Sequence, residues 1–193
     1  NIGGNIAFNK TNIETLGGPV RDFYVDGVAQ QRSFYFGNQI STGLYFRSPA
    51  NVFIEGEETG LFYGLESNGI YQTEDTDLVD GAVPGDVRYV DQNGDGVIDI
   101  LDRTFIGNPN PDFVYGFNLN FKLKGFTADF LFNGVFGNDI ANGNLIKLNN
   151  AEGLATNISP DAYNNAWRPE AQSNTYPRLG YDVTAYQAIG ISD

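Results

Sequence analysis

Between Asp91 and Asp102 the chain sets out the oxygen ligands of a hard cation. Asp91, Asn93, Asp95, Asp99 and Asp102 fall at positions 1, 3, 5, 9 and 12 of a twelve-residue loop. Gly96 stands at position 6, where such a loop turns sharply, and Val97 offers its carbonyl at position 7. Calcium takes roughly six to eight oxygens at about 2.3–2.6 Å, and alternate residues of a tight loop aim theirs inward. The departure is at position 12, where Asp102 stands in place of the usual glutamate and its shorter arm reaches less easily for two-oxygen coordination. Magnesium therefore stays open beside calcium. So does a solvated turn, because Asp and Asn also bond to their own backbone while Gly supplies positive φ.

Other chemistry is narrowly bounded. With no His and no Cys, the commonest general base, thiolate nucleophiles, soft-metal sites and disulfides are all excluded. Glu55, Glu57 and Glu58, or the loop aspartates, supply carboxylates for a glycosidase-type pair, but solvated loop charges or metal ligands account for them better, so no catalytic residue is assigned. A formal net charge of −13, from 11 Lys and Arg against 24 Asp and Glu, leaves no basic face for phosphate. Nucleic acid is not an expected partner.

The elements around the loop are strands. Gly 24, Phe 15 and Tyr 11 describe aromatic strands with glycine-punctuated turns, and the fold class is all-β. Asp86–Val90 before the loop and Thr104–Pro109 after it read as strand and as strand with turn, so the helices that usually flank such a loop are not expected. Residues 1–10 read as a first strand, with Ile2, Ile6 and Phe8 in one parity. Residues 51–74 alternate short apolar runs with glycines, as a meander does. Beyond residue 137 the chain reads mostly as loop, with a short helix near Asp161–Trp167 entered at Ser159-Pro160 and Trp167 as a core anchor.

The strongest periodicity lies between the loops. Phe113, Tyr115, Phe117, Leu119, Phe121 and Leu123 occupy successive odd positions, with Asn118, Asn120 and Lys122 between them. After Lys124-Gly125 the parity switches to Phe126, Ala128, Phe130, Phe132 and Phe136, which is a hairpin with one continuous apolar side. Each arm runs about eleven residues, the length a tilted strand needs to cross a bilayer. No apolar run approaches a membrane helix, which says nothing about strands. Two environments suit that side: a second sheet in a water-soluble sandwich, or lipid around a barrel whose remaining strands come from elsewhere.

A series of short motifs, in order, bears on the choice. Val52-Phe53-Ile54-Glu55-Gly56, Gly60-Leu61-Phe62-Tyr63-Gly64, Gly69-Ile70-Tyr71-Gln72, Pro84 through Gly96, Asp102-Arg103-Thr104 with Ile106-Gly107-Asn108-Pro109, Tyr115-Gly116-Phe117-Asn118, Lys124-Gly125-Phe126 and Gly137-Asn138-Asp139-Ile140 follow one another. Together they resemble the C-terminal half of a SusC/RagA-type TonB-dependent outer-membrane transporter of Bacteroidota. The likeness covers residues 50–180.

The resemblance implies a portion of a 22-stranded antiparallel transmembrane barrel with long extracellular loops. Residues 1–10 would be a barrel strand, 11–112 a long extracellular excursion carrying the ion loop, 113–136 a transmembrane hairpin and 137–193 a second excursion. Phe113, Tyr115, Phe117, Leu119, Phe121, Phe126, Phe130, Phe132 and Phe136 would then face lipid. The implied work is uptake of oligosaccharides or peptides with a SusD-like surface lipoprotein, driven by TonB through a plug and TonB box that lie outside these residues. The alternative from the residues themselves is a secreted, calcium-stabilised carbohydrate-binding module.

Overall fold

A computed structural model describes residues 1–37, 39–41, 47–49, 51–79, 81–149, 157–179 and 191–192. In chain order the strands are β1 (Ile2–Ala7), β2 (Val20–Val25), β3 (Val28–Phe36), β4 (Gln39–Ser41), β5 (Arg47–Pro49), β6 (Asn51–Ile54), β7 (Leu61–Leu65), β8 (Ser67–Ile70), β9 (Val87–Tyr89), β10 (Arg103–Gly107), β11 (Phe113–Leu123), β12 (Phe126–Phe136), β13 (Ile140–Ala141) and β14 (Ile191–Ser192). A single 3-10 turn, Ile100–Asp102, and two helices, α1 (Gly143–Asn149) and α2 (Pro160–Asn165), complete the described elements. Every strand pairing among the described residues is antiparallel. The chain is all-β with little helix.

Two sheets dominate. In the first, β11 lies between β1 and β12, and both long strands run 11 residues in unbroken register from Phe113 opposite Phe136 to Leu123 opposite Phe126. The turn joining them holds Lys124 at φ 45° and Gly125 at φ 87°. Two successive positive φ values make a type I′ turn, whose twist matches that of the strands and so fixes the register.

The second sheet has five strands in the order β10-β7-β6-β3-β2. Strand alternation puts Val52 and Ile54 inward and Asn51 and Phe53 outward on β6. Val52 and Ile54 join Phe23, Phe34, Leu61 and Tyr63 in one buried cluster, against which Val25 and Phe105 pack. Ring centroids of Phe23 and Phe34 lie 4.9 Å apart, and those of Phe23 and Tyr63 4.7 Å. The Arg21 guanidinium caps the cluster 4.3 Å from the Phe34 ring centre, while donating to the Phe34 carbonyl at 2.8 Å.

A smaller body forms around the β8–β9 pair. Ile70, Tyr71, Val87 and Tyr89 are buried there, and so are Ala162, Ala166 and Trp167 from the other side of the long hairpin. α2 starts where the sequence places it: Ser159 accepts from the Ala162 amide and Pro160 opens the first turn. The helix ends at Asn165, before Trp167. α1 is not foreseen by the reading of the chain beyond residue 137 as mostly loop; Leu145, Lys147 and Leu148 are good helix formers set between Asn and Gly residues that favour turns. The aromatic pair Tyr45-Phe46 lies outside the described residues.

Candidate functional site

The register gathers the aromatic residues of the hairpin on one surface. Odd positions of β11 oppose even positions of β12, so Phe113 meets Phe136, Phe117 meets Phe132, Leu119 meets Phe130 and Phe121 meets Ala128. β1 extends the same face, since Ile2 opposes Leu119 and Ile6 opposes Tyr115. At the loop end the Phe8, Phe113 and Phe136 rings form a row across three strands, with centroids 5.7 and 5.0 Å apart. This surface is open. Tyr115, Phe117, Phe121, Phe126, Phe130, Phe132 and Phe136 are all exposed, Phe126 by 82%, while Phe113 and Leu119 are half-covered by their neighbours. Among the described residues these strands make substantial contact only with one another, and no second sheet lies over the rings.

The opposite face is mostly polar. Asn5, Asn118, Asn120, Lys122, Thr127, Asp129 and Asn133 stand there, with the Asn120 amide donating to Asp129 across the strands. Leu131 and Val135 interrupt it and are exposed. β1 and β12 end the sheet at either side, each with an edge that has no strand beside it among the described residues. Unpaired edges beside an open apolar face are a liability in water.

The acidic loop is ordered by its own side chains. Asp91 accepts from the amides of Gly94 at 2.6 Å, Asp95 at 3.3 Å and Gly96 at 2.7 Å. The Gly96 amide, above all, holds the Asp91 carboxyl below the usual carboxylate range, helped by the Gly94 and Asp95 amides and the Asp102 carboxyl and opposed by desolvation. Asn93 and Asp95 each bond two residues ahead, to Asp95 and Val97. Asp102 is fully buried, with Oδ1 accepting from Gln92 and Asn93 and Oδ2 from Asp99. It forms a reciprocal cap with Asp99, whose carboxylate accepts from Leu101. That role was not foreseen, although Asp99 and Asp102 stand at capping-box spacing.

The carboxylates of the loop are turned onto backbone amides. Among the described residues no three acidic side chains converge as a ligand set. Asp91, Asn93, Asp95 and Asp99 and the Val97 carbonyl remain the donors an ion would draw inward, while Asp102 would have to give up a buried cap.

The glutamates have structural partners. Glu55 accepts from the Leu16 amide at 2.7 Å, Glu57 pairs with Arg32, and Glu58 accepts from Asn108 at 2.6 Å while Lys10 lies 3.6 Å away. A cleft of about 270 Å³ opens beside Glu58, between Phe8 and Asn110, where β1 gives way to the loop body.

No protein-family model matches the chain. The chain is 35% identical to TonB-dependent receptor P3 of Formosa agariphila over 141 residues, 70% of its own length. The chain belongs to the TonB-dependent receptor family. It is also 31% identical to TonB-dependent receptor P26 of the same organism over 67% of its length, and 42% identical to TonB-dependent receptor P39 over 49%. It spans only 14%, 13% and 9% of those three relatives, so a TonB-dependent receptor of that size has most of its chain elsewhere.

Proposed function

We propose that this chain forms part of the wall and outer loops of a SusC/RagA-type TonB-dependent transporter in the outer membrane of a Bacteroidota cell, which takes up oligosaccharides or peptides under a SusD-like lipoprotein lid. The observation that carries the reading is the three-stranded sheet itself. Among the described residues it has one continuous aromatic face without cover, one amide-rich face, and an edge on either side with no strand beside it. Those properties match a slice of a closed barrel, with lipid outside and a wet lumen inside. At about 3.4 Å per residue and a tilt near 45°, eleven-residue strands rise roughly 26 Å, the height of the apolar band in such barrels.

On this reading Phe113, Tyr115, Phe117, Leu119, Phe121, Phe126, Phe130, Phe132 and Phe136 meet hydrocarbon. The five-stranded sheet and the β8–β9 body belong to the outer loops, around the entrance used by substrate. The plug and the segment that engages TonB lie in other parts of the receptor. Kinship with transporters is also why no catalysis is assigned.

The reading is tested by fractionating cells that make the intact receptor. It should stay in outer membranes through alkaline carbonate washing, require detergent for release, and bring a surface lipoprotein with it on purification. Recovery of the receptor in the water-soluble fraction would sink the membrane reading, and purification without any lipoprotein would sink the lid.

The ion belongs to the same proposal. We assign calcium, with magnesium as the other candidate, to Asp91, Asn93, Asp95, Asp99, Asp102 and the Val97 carbonyl. Its work would be to stiffen an excursion too long to order itself cheaply. At one hundred times its dissociation constant an ion adds about 2.7 kcal/mol to the folded state. Thermal unfolding with calcium and then with chelator should therefore separate, and Asp95→Ala should close the gap; coincident curves remove the ion.

A further inference from the structure

Residues 157–178 come from the chain after the long hairpin, yet from Trp167 onward they bond repeatedly to residues that precede it. The Asn174 carboxamide accepts from the Ile70 amide at 3.1 Å, 104 residues away. Gln172 accepts from Thr73 at 3.0 Å, and the Gln72 side chain donates to the Ser173 carbonyl while accepting from the Trp167 indole at 3.2 Å. Arg178 closes the far end. Its amide donates to the Gly85 carbonyl at 2.8 Å, and its Nε lies 2.6 Å from Asp86 Oδ1. Asp86 is fully buried, with its second oxygen accepting from the Val83 amide.

The fit is close as well as polar. Gly85 sits at φ 94°, and a Cβ there would lie 2.6 Å from the Trp167 ring and 2.8 Å from Arg178. Any side chain at this position would force the two segments apart. The body so fastened also holds the foot of the acidic loop, because β9 runs straight into it and the Val90 amide donates to the Glu66 carbonyl ahead of β8.

We infer that residues 157–178 are a fixed strap that binds the segments on either side of the β11–β12 hairpin into one cooperative unit, with Asp86–Arg178 as its latch and Trp167 against Gly85 as its seat. A partner seated on one segment then draws the other with it, and the acidic loop takes its orientation from both. This inference does not depend on the membrane reading, since it concerns how two segments of the chain hold each other.

Hydrogen exchange resolved by residue, on the intact receptor in detergent, decides it. On the early side, the Ile70 amide, held across the junction by Asn174, and the Tyr71 and Gly85 amides, held by Asp86 and Tyr71 beside it, should open together with the Trp167 amide, held by Tyr176, and the Arg178 amide, held across the junction by Gly85, on the late side. Their protection should agree within about tenfold, as one unit requires. Asn174→Ala removes the acceptor for Ile70 and should lower protection on both sides by a similar factor, about tenfold. A difference between the two sides greater than tenfold in the unaltered receptor, or a fall on one side only or on neither in the variant, overturns the strap. The first comparison needs no substitution, so a variant that fails to fold does not leave the matter open.

Discussion

The five-stranded sheet and the three-stranded sheet are built from the same materials and reach opposite ends. Both are antiparallel, both are rich in phenylalanine and tyrosine, and both set their rings in rows across the strands. Phe23 in the first is 2% exposed, whereas Phe132 in the second is 55% exposed. Ring type and alternation do not decide between them. Cover does: the rings of the first sheet close over one another and are capped by Arg21, while those of the second stand in a single layer with no described residue packed over them as a second layer. The first sheet has made its own solvent-free interior, and the second needs one supplied.

That contrast can be broken most forcefully at Phe23. Phe23→Ala removes a ring packed against Phe34, Tyr63 and Phe105, and should destabilise the five-stranded body by about 3–5 kcal/mol. Denaturant unfolding followed by exchange in residues 20–65 reads it. A loss under 1 kcal/mol would mean that this core does not hold the body together. The sharper test uses neighbours on one strand. Phe132 and Leu131 are both exposed but point to opposite faces near the middle of β12. Phe132→Arg should cost about 2–4 kcal/mol of receptor stability in lipid, as charge on the lipid side near the midplane does, whereas Leu131→Arg should be tolerated. Equal effects at both positions, measured by unfolding from vesicles, would dissolve the distinction between the two faces.

How much of this was legible in the sequence follows the same division. The hairpin could be read residue by residue, because eleven-residue alternation, a parity switch and a two-residue turn leave one register that keeps the rings together. The core of the five-stranded sheet could not. β10 pairs with β7 across the acidic loop, and that long-range pairing is written in no local pattern. Trp167 as a core anchor and Ser159-Pro160 as a helix start were visible because each rests on the residue's own chemistry. The partners of Trp167 were not, since Gln72 lies 95 residues away. The acidic loop was legible as a set of donors but not in its resting geometry. Asp102 reads equally well as a ligand or as a cap until its three amide donors are seen.

The smallest expected effect separates burial from mere hydrophobicity. Tyr63 is buried in the five-stranded core and donates its hydroxyl to the Tyr24 carbonyl at 2.6 Å. Burial pushes its pKa up to about 12 from the usual 10, opposed only in part by Arg103. A phenol whose folded value exceeds its unfolded value contributes stability that is complete below pH 10 and is lost as pH rises through 10 towards 12. The five-stranded body should therefore weaken across that window. Tyr63→Phe should flatten the decline, at the expense of about 1 kcal/mol near neutrality from the lost hydrogen bond. The long hairpin has no such buried phenol among the described residues, so exchange at its paired amides should not follow the Tyr63 titration. If both sheets weaken together over those two pH units, the five-stranded body and the ribbon share one cooperative fate, and the division between a sheet that makes its own interior and one that does not fails.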